Sequence, residues 1–443
     1  MVSSVAGAVV VALDGTVLTV AQPRLQRELG ATFAEVQWTS TAYLIAVASL
    51  LVFAGRLGDR YGHRRVFALG MLGFGAASAG IGLAPGVGWV IGLRVAQGVF
   101  GALLQPATLG MLRAAFPPDR LAAPLAARTA AIGLAAAAGP LAGGALVTSL
   151  GWRAVFFVNV LPAFAFGLPA LLRPERPPAG ARTALDVPGA VLLAVALAGL
   201  VHSLTARPVS WAGLALAGVA AVLLVRHERR TACPLLPPGV LGPRAVGAAL
   251  GILVAASASL FGTLFVATYV LQRGLGLDPF SSAVRSLPLA VLMVASAALC
   301  PVLLRRFGAR GTTAVATALL ALGVLVLSRA ASAPVFGCGF GLLGAGFGTV
   351  MVAATHVVVR EADVAVAGVA GGLQQTALNV GPALGVAAAS TLLGAGTGPA
   401  LLVLAAVAGL GVPLARALSG AHGVASVTRT GEDRVRDGVP AGR

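Results

Sequence analysis

Fourteen apolar runs follow one another along this chain, each near the length that spans a bilayer. They lie near 2–22, 34–55, 65–84, 87–111, 122–149, 152–172, 186–205, 209–225, 245–272, 282–304, 311–328, 332–358, 364–394 and 397–418. About 20 predominantly apolar residues suffice to cross the hydrocarbon core, and the longer runs tilt or overhang it. Only 10% of the 443 residues are charged while 58% are hydrophobic. A soluble domain carries roughly a quarter of its residues charged, so much of this surface faces lipid. Length alone suggests two or three soluble domains, but the repeated runs overrule that count. The chain therefore reads as an all-α integral membrane protein of about 14 transmembrane helices.

The basic residues supply an independent test. All 31 are arginine. With a cytoplasmic N-terminus, the inside loops and tail hold 23: Arg56 to Arg65, Arg113 to Arg128, Arg173 to Arg182, Arg226 to Arg244, Arg305 to Arg310, Arg360, and Arg416 to Arg443. The outside loops hold seven, Arg24, Arg27, Arg153, Arg207, Arg273, Arg285 and Arg329, and Arg94 falls within a helix. That asymmetry is what the positive-inside rule demands; dropping or adding one helix would scramble it. The expectation is a multi-pass protein of the cytoplasmic membrane with both termini inside. The first run lacks a basic n-region and is interrupted by Asp14, so it reads as a span rather than a cleaved leader.

Composition also removes function classes. A net charge of +17 could suggest nucleic acid, but no basic face is interleaved with aromatics. With no lysine there is no Schiff base and no Walker A loop. Transport, if present, draws on a gradient or on a separate subunit, and no cofactor or metal is expected. Cys233, Cys300 and Cys338 form no CxxC and read as small buried hydrophobes.

The chain repeats itself at a spacing of eight helices. Gly55-Arg-Leu-Gly-Asp-Arg-Tyr-Gly62-His-Arg64 is echoed by Pro301-Val-Leu-Leu-Arg-Arg-Phe-Gly308-Ala-Arg310, and Gly139-Pro140-Leu-Ala-Gly143 by Gly381-Pro382-Ala-Leu-Gly385. Two parallel six-helix halves with two inserted helices fit this spacing: residues 1–172, an inserted pair within 173–243, residues 244–418, and a disordered cytoplasmic tail over 419–443. Parallel repeats are a transporter plan, with the substrate site between the halves.

Few residues can carry chemistry in such a core. Asp14 sits mid-helix, where an ionised carboxylate costs about 2.5–3.5 kcal/mol on insertion scales; it is either a proton or cation site or a static acid paired for packing. Arg94 heads a polar or small stripe with Gln97, Gly98, Gly101, Gln105 and Thr108 at helical spacing. It either couples to Asp14 or snorkels to an interface. Gly133, Gly139, Pro140, Gly143 and Gly144 allow close packing in the fifth helix, as a fixed seam or as a hinge. Tyr43, Gln97, Gln105, Gln272, Gln374, Gln375 and Asn379 are candidates to line a cavity, although each alone is commonly a packing residue.

Together these residues resemble a known family. Gly55-Arg-Leu-Gly58-Asp59-Arg60-Tyr-Gly62-His-Arg64-Arg65 is similar to the loop 2–3 signature of the major facilitator superfamily, and Arg94-Val-Ala-Gln97-Gly98 to its helix 4 signature. Gly133 through Gly144 resembles its antiporter signature. Leu13-Asp14-Gly-Thr16-Val and the stretch Trp152-Arg153, Phe156, Asn159, Pro162 resemble its fourteen-span drug:proton antiporters. The resemblance implies a major-facilitator fold and a proton-driven exporter; a monomer is expected, with membrane lipid, protons and a small amphipathic substrate as its partners. It implies that Asp14 is the proton or cation site and Arg94 a coupling residue. Asp59 would be a gate residue meeting a helix N-terminus of the other half. Helices 10 and 13 lack the membrane-embedded acid that some members use for dications, which favours monocationic or neutral substrates; Thr19 stands where the helix 1 signature has Asn. The rivals are an uptake carrier for a small metabolite, and a membrane enzyme or receptor, for which no catalytic constellation is present.

Overall fold

The computed structural model describes residues 1–117, 120–172, 185–205, 210–231, 234–235, 244–277, 279–330, 332–361, 367–393 and 396–418. Within them the chain is helical. The first six helices are α1 (Val2–Glu28), α2 (Phe33–Tyr61), α3 (His63–Gly82), α4 (Val87–Ala115), α5 (Ala122–Leu150) and α6 (Ala154–Leu172). The next three are α7 (Val187–Thr205), α8 (Trp211–Glu228) and α9 (Arg244–Tyr269), the last prolonged by a π-turn over Val270–Gly274. One helical stretch, Pro279–Ser328, turns at Gly308 and so forms α10 (279–307) and α11 (309–328). The chain then runs through α12 (Ala333–Glu361), α13 (Ala367–Leu392) and α14 (Thr397–Ala417). Each apolar run thus has its helix. Among the described residues nine stretches pass a length and apolarity criterion for crossing a bilayer on their own, with Val284–Ser328 counted as one.

Two connections are tighter than the sequence suggests. The arginine-rich signature around Asp59 is not an open loop: α2 runs through it to Tyr61, and Gly62 alone, at φ 96°, turns the chain into α3. Its echo behaves alike, with Gly308 at φ 69° between α10 and α11. That left-handed region favours glycine because it has no Cβ. At the other end of α2, Thr32 and Glu35 form a reciprocal capping box.

Packing follows the eight-helix offset. α5 lies on α1 as α13 lies on α9, and α3 on α6 as α11 lies on α14; the halves meet where α2 and α4 face α13 and where α5 faces α10 and α12. The glycine echoes sit in equivalent seams: a Cβ at Gly139 or Gly143 would meet Thr16 or Val17 of α1, and one at Gly381 or Gly385 would meet Ser257 or Ala258 of α9. Small residues let backbones approach closely in this way. In the apolar window of α12, 89% of residues are buried against 17% in α8, so α12 runs through the interior and α8 lies at the periphery.

Two expectations are corrected. Cys300 is buried but Cys338 is exposed, since an apolar side chain on a spanning helix can equally face lipid; Cys233 lies outside the described residues. Arg128, counted above with an inside loop, lies within α5 at 3% exposure. The tail over 419–443 lies outside the described residues.

Candidate functional site

Five helices of the N-terminal half converge on one carboxylate. Asp14 of α1 is 2% exposed and Arg94 of α4 1%. Arg94 Nη1 donates to Asp14 Oδ2 at 2.6 Å. Asp14 Oδ1 accepts from Gln97 Nε2 and from Asn159 Nδ2 of α6, each at 3.0 Å. Ser78 Oγ of α3 accepts from the same two amides, at 2.7 and 3.4 Å. Arg94 is held independently: Nε donates to the Thr39 carbonyl of α2 at 3.0 Å, Nη1 also donates to Gln97 Oε1 at 2.6 Å, and the guanidinium lies 4.1 Å from the Tyr43 ring centroid.

The arrangement follows from local sequence. Asp14, Gln97 and Asn159 interrupt otherwise apolar helices, and a buried charge is tolerated only when paired and hydrogen-bonded. Arg94 and Gln97 stand three residues apart, hence on one helix face. Charge-assisted bonds of this kind are short and about twice as strong as neutral ones. The result is an internally neutral ion pair sealed from water, able to open if the carboxylate gains a proton.

At one end of the molecule the two halves are latched. Asp59 of α2 accepts from the N–H groups of Gly368 at 2.7 Å and Val369 at 3.1 Å, the first turn of α13. Those N–H groups have no partner within the helix, and a helix N-terminus attracts negative charge. Gly55 lies against Gly368 so closely that a Cβ on either would strike the other's backbone. His63 Nε2 is 3.4 Å from Asp59 Oδ1, and Arg60 lies over the Tyr61 ring. Arg56 donates to the carbonyls of Pro234 and Leu235, tying the segment after α8 to the latch helix. Gly58 backs onto the His63 ring, and Arg64 and Arg65 begin α3.

The other residues singled out in the sequence fall elsewhere. Gln97 and Tyr43 belong to the Asp14 cluster. Gln105 of α4 accepts from Gln375 of α13 across the halves. Gln374 donates to Thr355 at 3.1 Å and Asn379 to the Gln375 carbonyl at 2.8 Å. Gly133 faces Met293 and Val294 of α10, and Gly144 faces open space. The side chains of Gln272, Pro140 and Thr19 lie outside the described residues. Sequence reasoning passed over Ser78 and Thr39, and quoted Asn159 without giving it a role. The available signal was an amide within an apolar run; who stands opposite it is a tertiary fact.

The family model described as Major Facilitator Superfamily matches residues 5–386. The chain belongs to that superfamily. Among similar proteins, the tetracenomycin C resistance and export protein of Streptomyces glaucescens is 40% identical over 402 residues, 87% of this chain and 74% of that one. The puromycin resistance protein of Streptomyces alboniger is 35% identical over 88% of this chain and 81% of that one. The cephamycin export protein of Amycolatopsis lactamdurans is 34% identical over 87% and 83% respectively. The fold is similar to that of a human organic anion transporter, with a TM-score of 0.71 at 16% identity over 94% of this chain and 98% of that one. Superfamily membership makes this an integral membrane transporter with the major-facilitator fold.

Proposed function

We infer that the protein is a proton-coupled antiporter that exports small amphipathic molecules across the cytoplasmic membrane by alternating access, with both termini in the cytoplasm. The observation that carries this reading is the sealed Asp14–Arg94 pair, a protonatable group buried within the N-terminal half. Its relatives are named as resistance and export proteins, which favours export over uptake.

The cycle runs as follows. Deprotonated Asp14 holds Arg94, Gln97 and Asn159 together and keeps α1 drawn onto α4 and α6. A proton arriving from outside neutralises the carboxylate, weakens the Arg94 bond and frees α1. Thr16 and Val17, half a turn along, seat α5 through Gly139 and Gly143, so a shift of α1 is passed to the helix that abuts α10 and α12. The Asp59 latch closes the cytoplasmic side and is released at each turnover. The gradient supplies the energy and no cofactor takes part. A monocationic substrate would need an open Asp14 carboxylate, which Arg94 occupies in this conformation.

The test is Asp14→Asn in everted vesicles energised only by a proton gradient. Expression is retained, and both efflux and substrate-induced proton release are lost. Efflux at the unaltered rate would refute the assignment.

A further inference from the structure

Arg128 is a charge that the proton pathway and the latch leave unused. It is 3% exposed within α5. Among the described residues its Nε has no hydrogen-bond partner, and no carboxylate is paired with it. A guanidinium stays charged at any physiological pH. Taking such a charge out of water is compensated only by a well-placed counter-charge and hydrogen bonds, and intramembrane charges characteristically mark a substrate or ion path.

Its surroundings say what would complete it. Leu125 and Ile132 lie one turn before and one turn after, on the same helix face. Leu125 packs with Leu109 and Leu112 of α4 and with Val359 of α12, and Ile132 packs on the core of the C-terminal half. Ala126 lies with Ala297 and Cys300 of α10 and with Val352 and Ala353 of α12. Arg128 therefore sits in the seam where the two halves press together at the Asp59 end. When that seam parts, its wall carries a permanent cation. The two buried carboxylates of the Asp14 cluster and the latch are already engaged: Asp14 is closed on Arg94, and Asp59 on the Gly368 and Val369 N–H groups.

We propose that Arg128 is the docking cation for cargo, receiving a carboxylate or phenolate oxygen of the substrate, so that the transported class is anionic amphiphiles. The proposal rests on the exporter reading and replaces its substrate preference. A guanidinium forks onto a carboxylate with two parallel hydrogen bonds. Closing the seam over a bound anion buries an ion pair, whereas closing it without one buries a lone cation. The same residue thereby selects the cargo and favours loaded closure over empty closure.

The experiment uses purified full-length protein in lipid nanodiscs, titrated with three fluorescent probes that share one ring system. They are dansylglycine (carboxylate), dansylglycinamide (neutral) and dansylcadaverine (cation). The wild type binds the carboxylate about tenfold more tightly than the amide, as expected for a charge-assisted pair. Arg128→Leu brings that ratio to about one while amide binding stays within about twofold, and Arg128→Lys keeps part of the preference. If Arg128→Leu does not fold, Arg128→Gln serves, and the wild-type ratio needs no variant. Three results overturn the proposal: no carboxylate binding, carboxylate binding no tighter than amide, or a ratio that survives Arg128→Leu. Proton release on adding the probes to proteoliposomes is recorded separately. Proton movement without carboxylate preference leaves the exporter standing and removes this role for Arg128. Carboxylate preference without proton movement does the reverse.

Discussion

Replacing Asp59 with asparagine isolates the latch. The wild-type side chain is 6% exposed and accepts from Gly368 N–H at 2.7 Å and Val369 N–H at 3.1 Å, one oxygen to each. Asparagine keeps one acceptor and turns an NH2 group toward the other N–H. The loss comprises one charge-assisted hydrogen bond, about 1.5–3 kcal/mol, and a charge at a helix N-terminus, about 0.3–1 kcal/mol. A neutral amide is less costly to bury than a carboxylate, which returns part of that loss. A net of about 1.4–2.8 kcal/mol shifts the closed-to-open ratio by about tenfold to a hundredfold. The reporter is Val359→Cys, at 0% exposure in the seam beside Leu109 and Leu112, in a background with Cys233, Cys300 and Cys338 replaced. N-ethylmaleimide reacts with it only from open states, so its rate follows their population. Asp59→Asn raises the rate at least about tenfold; an unchanged rate means that the latch does not hold the seam closed.

Gly55→Val drives a side chain into the Gly368 backbone, so the seam cannot close; efflux falls to background while the same maleimide assay reads fast labelling. Asn159→Leu removes a donor from Asp14 and costs about 1–3 kcal/mol, read as a lower thermal midpoint in detergent, and an unchanged midpoint counts against the cluster. Gly139→Val sets a branched side chain against Thr16; loss of efflux with Asp14 and Arg94 intact marks the α1–α5 seam as a moving part, while normal efflux shows it to be static. Glu28 lies beyond the apolar part of α1, and its carboxyl is held below the usual carboxylate range, first by the hydrogen bond from Arg24 and then by those from Trp152 and the charge of Arg153. A depressed carboxyl contributes stability above its unfolded value, near 4.3, that is lost as pH falls through the folded one. The difference in thermal midpoint between wild type and Glu28→Gln therefore shrinks on acidification below about pH 4.3.

The helices were legible in the chain because lipid imposes a simple rule: a span needs length and apolarity, and both are local. The echo of Gly62 in Gly308 was legible for a related reason, since a turn at positive φ demands glycine wherever it recurs. Asp14 and Arg94 stood out because charge within an apolar run is costly enough to be conspicuous. Their contact spans 80 positions, and no periodicity encodes it. The same limit hid Ser78 and the Thr39 carbonyl, which are unremarkable until folding brings them to the cluster. Arg128 shows the limit most clearly. In the sequence it is one of several arginines near a helix end, where water could solvate it. Only the packing of α5 against α10 and α12 removes that water, and only tertiary structure reveals that no counter-charge among the described residues takes its place.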